Sequence, residues 1–108
     1  MASKNKKKLL KIILGNLSNA ILHEILADAV FNELRFYYSK ESTNSLEIAI
    51  RYRQKLSANF SFPVHLKFKL IQLIRSKLNQ RIRKGYKNID LTKIESFVEK
   101  YLQKIKNN

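Results

Sequence analysis

The chain of 108 residues has no cysteine, no tryptophan, one proline and two glycines. Without cysteine there are no disulfides, no thiolate metal sites and no cysteine nucleophile. A cytoplasmic location is compatible with that composition and is the one expected. So few Gly and Pro residues exclude a turn-rich β-sandwich or a glycine-rich phosphate loop. They suit long helices joined by few breaks.

Catalytic constellations are equally scarce. The sequence holds no H-E-x-x-H, G-x-S-x-G, P-loop or zinc-ligand spacing. His23 and His65 lie far apart, and neither has a second ligand at metal spacing. Glu24 and Asp28 share one helix face, where paired carboxylates can bind a metal or do acid–base work. A solvated or lysine-paired face is the simpler reading of that pair. The expectation is a non-enzymatic protein with no cofactor and no metal.

Long uncharged apolar runs are missing too. MASKNKKKLLKIIL resembles the charged and apolar regions of a signal peptide, with Ala27-Asp28-Ala29 as an A-x-A pattern. Lys11 interrupts the apolar stretch after two residues, and Asn16, Asn19, His23 and Glu24 follow. Neither secretion nor a transmembrane segment is therefore expected. Adsorption of a Lys-rich helix to an anionic membrane stays open.

What the chain does contain is apolar material and positive charge. Its 44% hydrophobic residues, with five Tyr and six Phe, supply one small core. The net charge is +14, from 22 Lys and Arg against 8 Asp and Glu. Lys, Asn and Ile are all abundant, as in an AT-rich coding sequence, so net charge alone decides little. Its distribution is more telling. Residues 24–50 carry a net −3, whereas Arg51 to Lys87 holds eleven cations and no acid. Five of those eleven are Arg, which AT-rich drift does not favour.

Periodicity predicts an all-α fold, a small single-domain bundle of four to five helices. Residues 1–8 read as a basic flexible arm and 9–106 as the helical domain. A short helix covers about 5–14, with Gly15-Asn16 as a break. Leu17, Ile21, Ile25, Ala29 and Phe36 place a core helix over 17–38. SKESTNS, at 39–45, reads as a loop. Residues 46–56 fit a strand by alternation and a helix by Leu46, Ala49, Tyr52 and Leu56. Asn44 followed by Glu47 at capping-box spacing favours the helix. An α+β fold with a hairpin in 46–70 is the alternative.

Further on, SANFSFP connects to a helix over 64–84 on the stripe Val64, Phe68, Ile71, Ile74, Leu78 and Ile82. Pro63 suits its first position and Gly85 its left-handed stop. Asp90 or Thr92 then caps a last helix to about 106, with Thr92 and Glu95 at capping-box spacing.

The acid-free block points to a polyanion. Helix-end cations complement the macrodipole, which accounts for Arg81, Arg83 and Lys84. It does not account for Arg51, Arg53, Lys55, Lys67 and Lys69. A basic face over 51–87 is predicted, built from Arg51, Arg53, Lys55, Lys69, Lys77, Arg81, Arg83, Lys84, Tyr86 and Lys87. Lys67 and Arg75 fall inside the edges of the apolar stripe and are expected to snorkel past the core.

Phosphates of a nucleic acid would meet such a face through salt-sensitive contacts. Tyr52 and Tyr86, set among cations, can stack on unpaired bases, which favours RNA slightly over DNA. For each, packing against its own helix is the competing role. A groove-reading helix-turn-helix fits poorly, because VHLKFKLI is too apolar for a recognition helix's N-terminal end. An adaptor binding an acidic protein partner, or an anionic membrane, is the alternative class. A homo-oligomer is also allowed, since 9–38 is more apolar than one small core needs.

Overall fold

The computed structural model describes residues 2–106, with side chains from Lys6 onwards. It is an all-α bundle of four helices: α1 (Ala2–Ala29), α2 (Leu34–Arg53), α3 (Val64–Arg83) and α4 (Ile94–Lys106), with a 3₁₀ turn at Leu91–Lys93.

α1 is the central element. Ile13, Leu14, Leu17, Ala20, Ile21, Leu22, Ile25 and Leu26 are all buried, on more than one face of the helix. A helix that is apolar nearly all round must be surrounded, and α2, α3 and α4 each pack against it. The apolar excess that allowed for a homo-oligomer thus has a use inside one chain. Lys6–Ala29 is long and apolar enough to cross a membrane by length and composition. In the bundle its apolar side chains form the core.

Residues 2–8, expected as an arm, are the first turns of α1. Gly15 does not break the helix either. A Cβ built there meets no atom within 4 Å, and its φ lies outside the left-handed region. Gly15→Ala is therefore expected to raise stability by about 0.5–1 kcal/mol, since Ala loses less backbone entropy in a helix. Gly85 has φ +102°, so Gly85→Ala should lower it. Paired thermal melts that shift in the same direction would contradict this reading.

The connection between α1 and α2 falls at 30–33, not at 39–45. Asn32 Oδ1 accepts the Leu34 N–H at 3.0 Å, and Arg35 Nε donates to the Ala27 carbonyl at 3.2 Å. Asn32, just before the N-cap Glu33, thereby satisfies the first N–H of α2, while Arg35 satisfies a carbonyl at the end of α1. SKESTNS is helical because its hydroxyls find partners without leaving the helix. Thr43 Oγ1 donates to the Ser39 carbonyl at 3.1 Å, and buried Ser42 donates to the Ala20 carbonyl of α1 at 2.7 Å. Small residues at Ser42 and Ala49 let α2 lie close along α1. Residues 46–53 are helical as favoured, but as the later part of α2, and 54–56 lie in the turn that follows it.

α3 matches its expected span, with Pro63 at the N-cap rather than inside. Its end is a Schellman stop: Tyr86 N–H reaches the Arg81 carbonyl and Gly85 N–H the Ile82 carbonyl. Asp90 supplies the last cap, accepting the Thr92 N–H at 3.0 Å. That bond and the Thr92 hydroxyl hold its carboxyl below the usual range.

Cross-bundle contacts fix the directions of the helices. Lys6 lies over Phe60, just before α3, while Lys77 reaches Ser18 and Asn19, so α3 runs parallel to α1. α4 runs antiparallel, with Lys93 near Asp28 and Lys100 near Glu24. The result is an up-down-up-down bundle. One end gathers the start of α1, the end of α2, the start of α3 and the end of α4.

Candidate nucleic-acid interface

That end collects cations from segments far apart in sequence. Lys6, Lys7, Lys8 and Lys11 project from α1, while Arg51 and Lys55 stand at and just beyond the end of α2; all six are exposed. One cleft of ≈ 380 Å³, lined by Lys8, Leu9, Ile12, Tyr52 and Lys55, joins these two segments, while Lys6 Nζ sits 5.0 Å from the Phe60 ring centroid in the connection before α3. Lys55 Nζ lies 4.6 Å from the centroid of the Tyr52 ring. Lys69, in the second turn of α3, is also exposed and belongs to the same half of the bundle.

None of these cations has a carboxylate partner among the described residues. The ion pairs found there are Lys67–Glu99, Lys93–Asp28 and Lys100–Glu24. The Glu24 and Asp28 pair is thus lysine-paired, Glu24 meeting Lys100 of α4 and Asp28 meeting Lys93 of the 3₁₀ turn before it. Among the described residues no three His, Asp or Glu side chains gather as a metal site.

The predicted basic face does not exist as one surface. Arg53 is 6% exposed and turned inward. Its guanidinium donates to the Ser57, Ala58 and Phe60 carbonyls, fastening the 57–60 connection to the end of α2. A rigid fork with several donors suits that clamp, and it removes Arg53 from the ligand-facing set. Lys77 is half-buried, donating to Ser18 Oγ and Asn19 Oδ1 at 3.3 Å each. Lys67 is half-buried and paired with Glu99, whereas Arg75, expected to snorkel beside it, is exposed.

Arg81 and Tyr86 are tied up at the far end. Arg81 donates to the Tyr86 hydroxyl at 3.2 Å and lies over its ring at 5.3 Å, and Tyr86 meets Tyr38 at 3.4 Å. Hydrogen bonds from Tyr38 and Arg81 stabilise the Tyr86 phenolate and hold its pKa below the ordinary value. Tyr86 therefore packs back on the bundle rather than offering a free ring. Arg83, Lys84 and Lys87 are exposed around it. They lie the length of α3, roughly 30 Å, from Arg51 and Lys55.

Sequence reasoning missed two features. It treated the N-terminal lysines as a separate arm, although the bundle seats Lys6 to Lys11 beside Arg51 and Lys55. It also placed Phe36 in the core. Phe36 is 80% and Phe31 83% exposed, with Leu34 and Tyr37 exposed beside them at the α1–α2 turn. Asn32, as a capping residue, was the available signal for that turn.

Buried polar groups elsewhere join helices to one another. Burial, reinforced by the nearby Glu24 carboxylate, pushes the Tyr101 phenol well above its ordinary pKa. Its hydroxyl and Ser42 Oγ, 3.1 Å apart, join α4 to α2. The chain has no significant match to a protein-family model, a curated protein or a solved structure.

Proposed function

We propose that the protein is a nucleic-acid-binding module that grips phosphates with the end of the bundle formed by α1 and α2. The supporting observation is that exposed Lys6, Lys7, Lys8, Lys11, Arg51 and Lys55 share one end of the bundle, with Lys8 and Lys55 on one cleft, and none has a carboxylate partner among the described residues. A structural surface would be expected to mix signs so that charges pair. Here like charges from two helices are gathered at one end, Lys8 and Lys55 on a shared cleft, which costs self-repulsion unless an anion neutralises it. RNA is favoured slightly over DNA, because Tyr52 lies within the basic cluster.

The test is binding measured against single-stranded RNA, duplex RNA and duplex DNA at several salt concentrations. If four or more phosphates are neutralised, log K should fall against log salt with a slope of about −3 or steeper. A shallow slope, with no affinity for any of the three, rejects the function.

An adaptor is the second reading, and the exposed Phe31, Leu34, Phe36 and Tyr37 favour it. That patch lies at the opposite end from the basic cluster. A pull-down that retains a protein partner after nuclease treatment, with no salt-dependent nucleic-acid binding, would decide for the adaptor.

A further inference from the structure

The geometry points to a seat for one unpaired nucleobase in the cleft between Leu9, Ile12 and Tyr52, with Lys8 and Lys55 holding the phosphates on either side. This rests on the nucleic-acid reading and names its substrate class: single-stranded rather than duplex nucleic acid.

Three observations carry it. The cleft of ≈ 380 Å³ lies within the size range of small-ligand pockets, about 300–1,000 Å³. Its lining combines half-buried, apolar Leu9 and Ile12 of α1 with the exposed ammonium side chains of Lys8 and Lys55. Such a division of surface matches a nucleotide, whose base is flat and largely apolar on its faces while its phosphates are anionic. The third observation is Tyr52 itself. Its ring is half-buried, so the backbone and the neighbouring helix hold it in place, and Lys55 covers one face at 4.6 Å.

A solvent-exposed lysine such as Lys55 gains only about 0.5–1 kcal/mol over a ring, so it is readily displaced by a stacking base. The displaced ammonium then has a phosphate within reach. Paired bases cannot enter, because their faces are already stacked within the duplex. The cleft therefore selects for unpaired residues, while Lys6, Lys7, Lys11 and Arg51 bind phosphate without reading bases.

The absence of tryptophan gives a direct readout. In the full chain, Tyr52→Trp places a single indole in the cleft. Single-stranded oligonucleotides should quench its emission, whereas base-free polyphosphate at equal occupancy should leave it nearly unchanged. In parallel, Tyr52→Leu should lower the ratio of single-stranded to duplex RNA affinity roughly tenfold or more, with circular dichroism confirming a helical fold. Equal quenching by both polyanions overturns the cleft assignment, as does an unchanged affinity ratio in a folded Tyr52→Leu protein. Loss of the nucleic-acid function itself would look different: the unaltered chain would bind neither strand type.

Discussion

Replacing Lys7, Lys8, Arg51 and Lys55 together by Gln is expected to weaken single-stranded RNA binding on the order of 10²-fold at about 0.15 M salt. The estimate follows from counterion release. Each phosphate contact to a single strand contributes about 0.7 to the salt slope, so four contacts contribute about 3. The slope should drop by that amount. The four side chains are exposed and unpaired with any described carboxylate, so the fold should be unaffected.

The informative control removes the same charge elsewhere. Arg75, Arg83, Lys84 and Lys87 are exposed on α3 and beyond its end, and changing them to Gln alters net charge equally. Arg81 is left in place because its guanidinium holds Tyr86. At physiological salt the Debye length is about 8 Å, so charges roughly 15 Å (Arg75) to 30 Å (Arg83, Lys84, Lys87) along α3 from the α1–α2 cluster are largely screened from it. The control should lose less than about fivefold. Equal losses in both variants would show that binding follows net charge and not this end of the bundle.

The largest stability effect is expected in α1. Leu17→Ala should cost about 2–5 kcal/mol, because Leu17 has no exposed surface and packs in a core that can close only partly over the cavity. A domain of this size has only about 5–15 kcal/mol to lose, so the urea midpoint should fall sharply. Phe36→Ala, by contrast, should change stability by less than about 0.5 kcal/mol, since the ring is 80% exposed. Both residues fit one helical stripe on paper. A large loss for Phe36→Ala in denaturant titrations would mean that α2 turns the opposite face to the core.

That pair shows where sequence reasoning holds and where it stops. Pro63 and Gly85 mark the boundaries of α3 correctly, and Asp90 caps the 3₁₀ turn that leads into α4, because each acts on backbone groups within a few residues of itself. A cap or a left-handed stop is a local requirement, and the sequence states it directly. The all-α character follows from the same logic, with long apolar periods and few breakers.

The α1–α2 turn was harder to place. It lacks Gly and Pro, and its one cue, Asn32, was outweighed by the polar run at 39–45. Serine and threonine hydroxyls satisfy themselves in a loop or along a helix equally well. The choice came from α1, whose Ala20 carbonyl and small side chains accept Ser42 and Ala49 at close range.

The same limit governs the candidate site. In sequence, Arg51 and Arg53 are interchangeable neighbours, as are Lys69 and Lys77 on one helix. The fold turns Arg53 onto three carbonyls and Lys77 onto α1, and leaves Arg51 and Lys69 in solvent. By itself the sequence determined the all-α character, the ends of α3, the region of α4 and the excess of positive charge, because these depend on local backbone chemistry and composition. Only the tertiary structure decided which cations are free, and that residues 6–11 stand beside 51–55. Those facts depend on which helix packs against which, and a basic side chain does not encode its own neighbour.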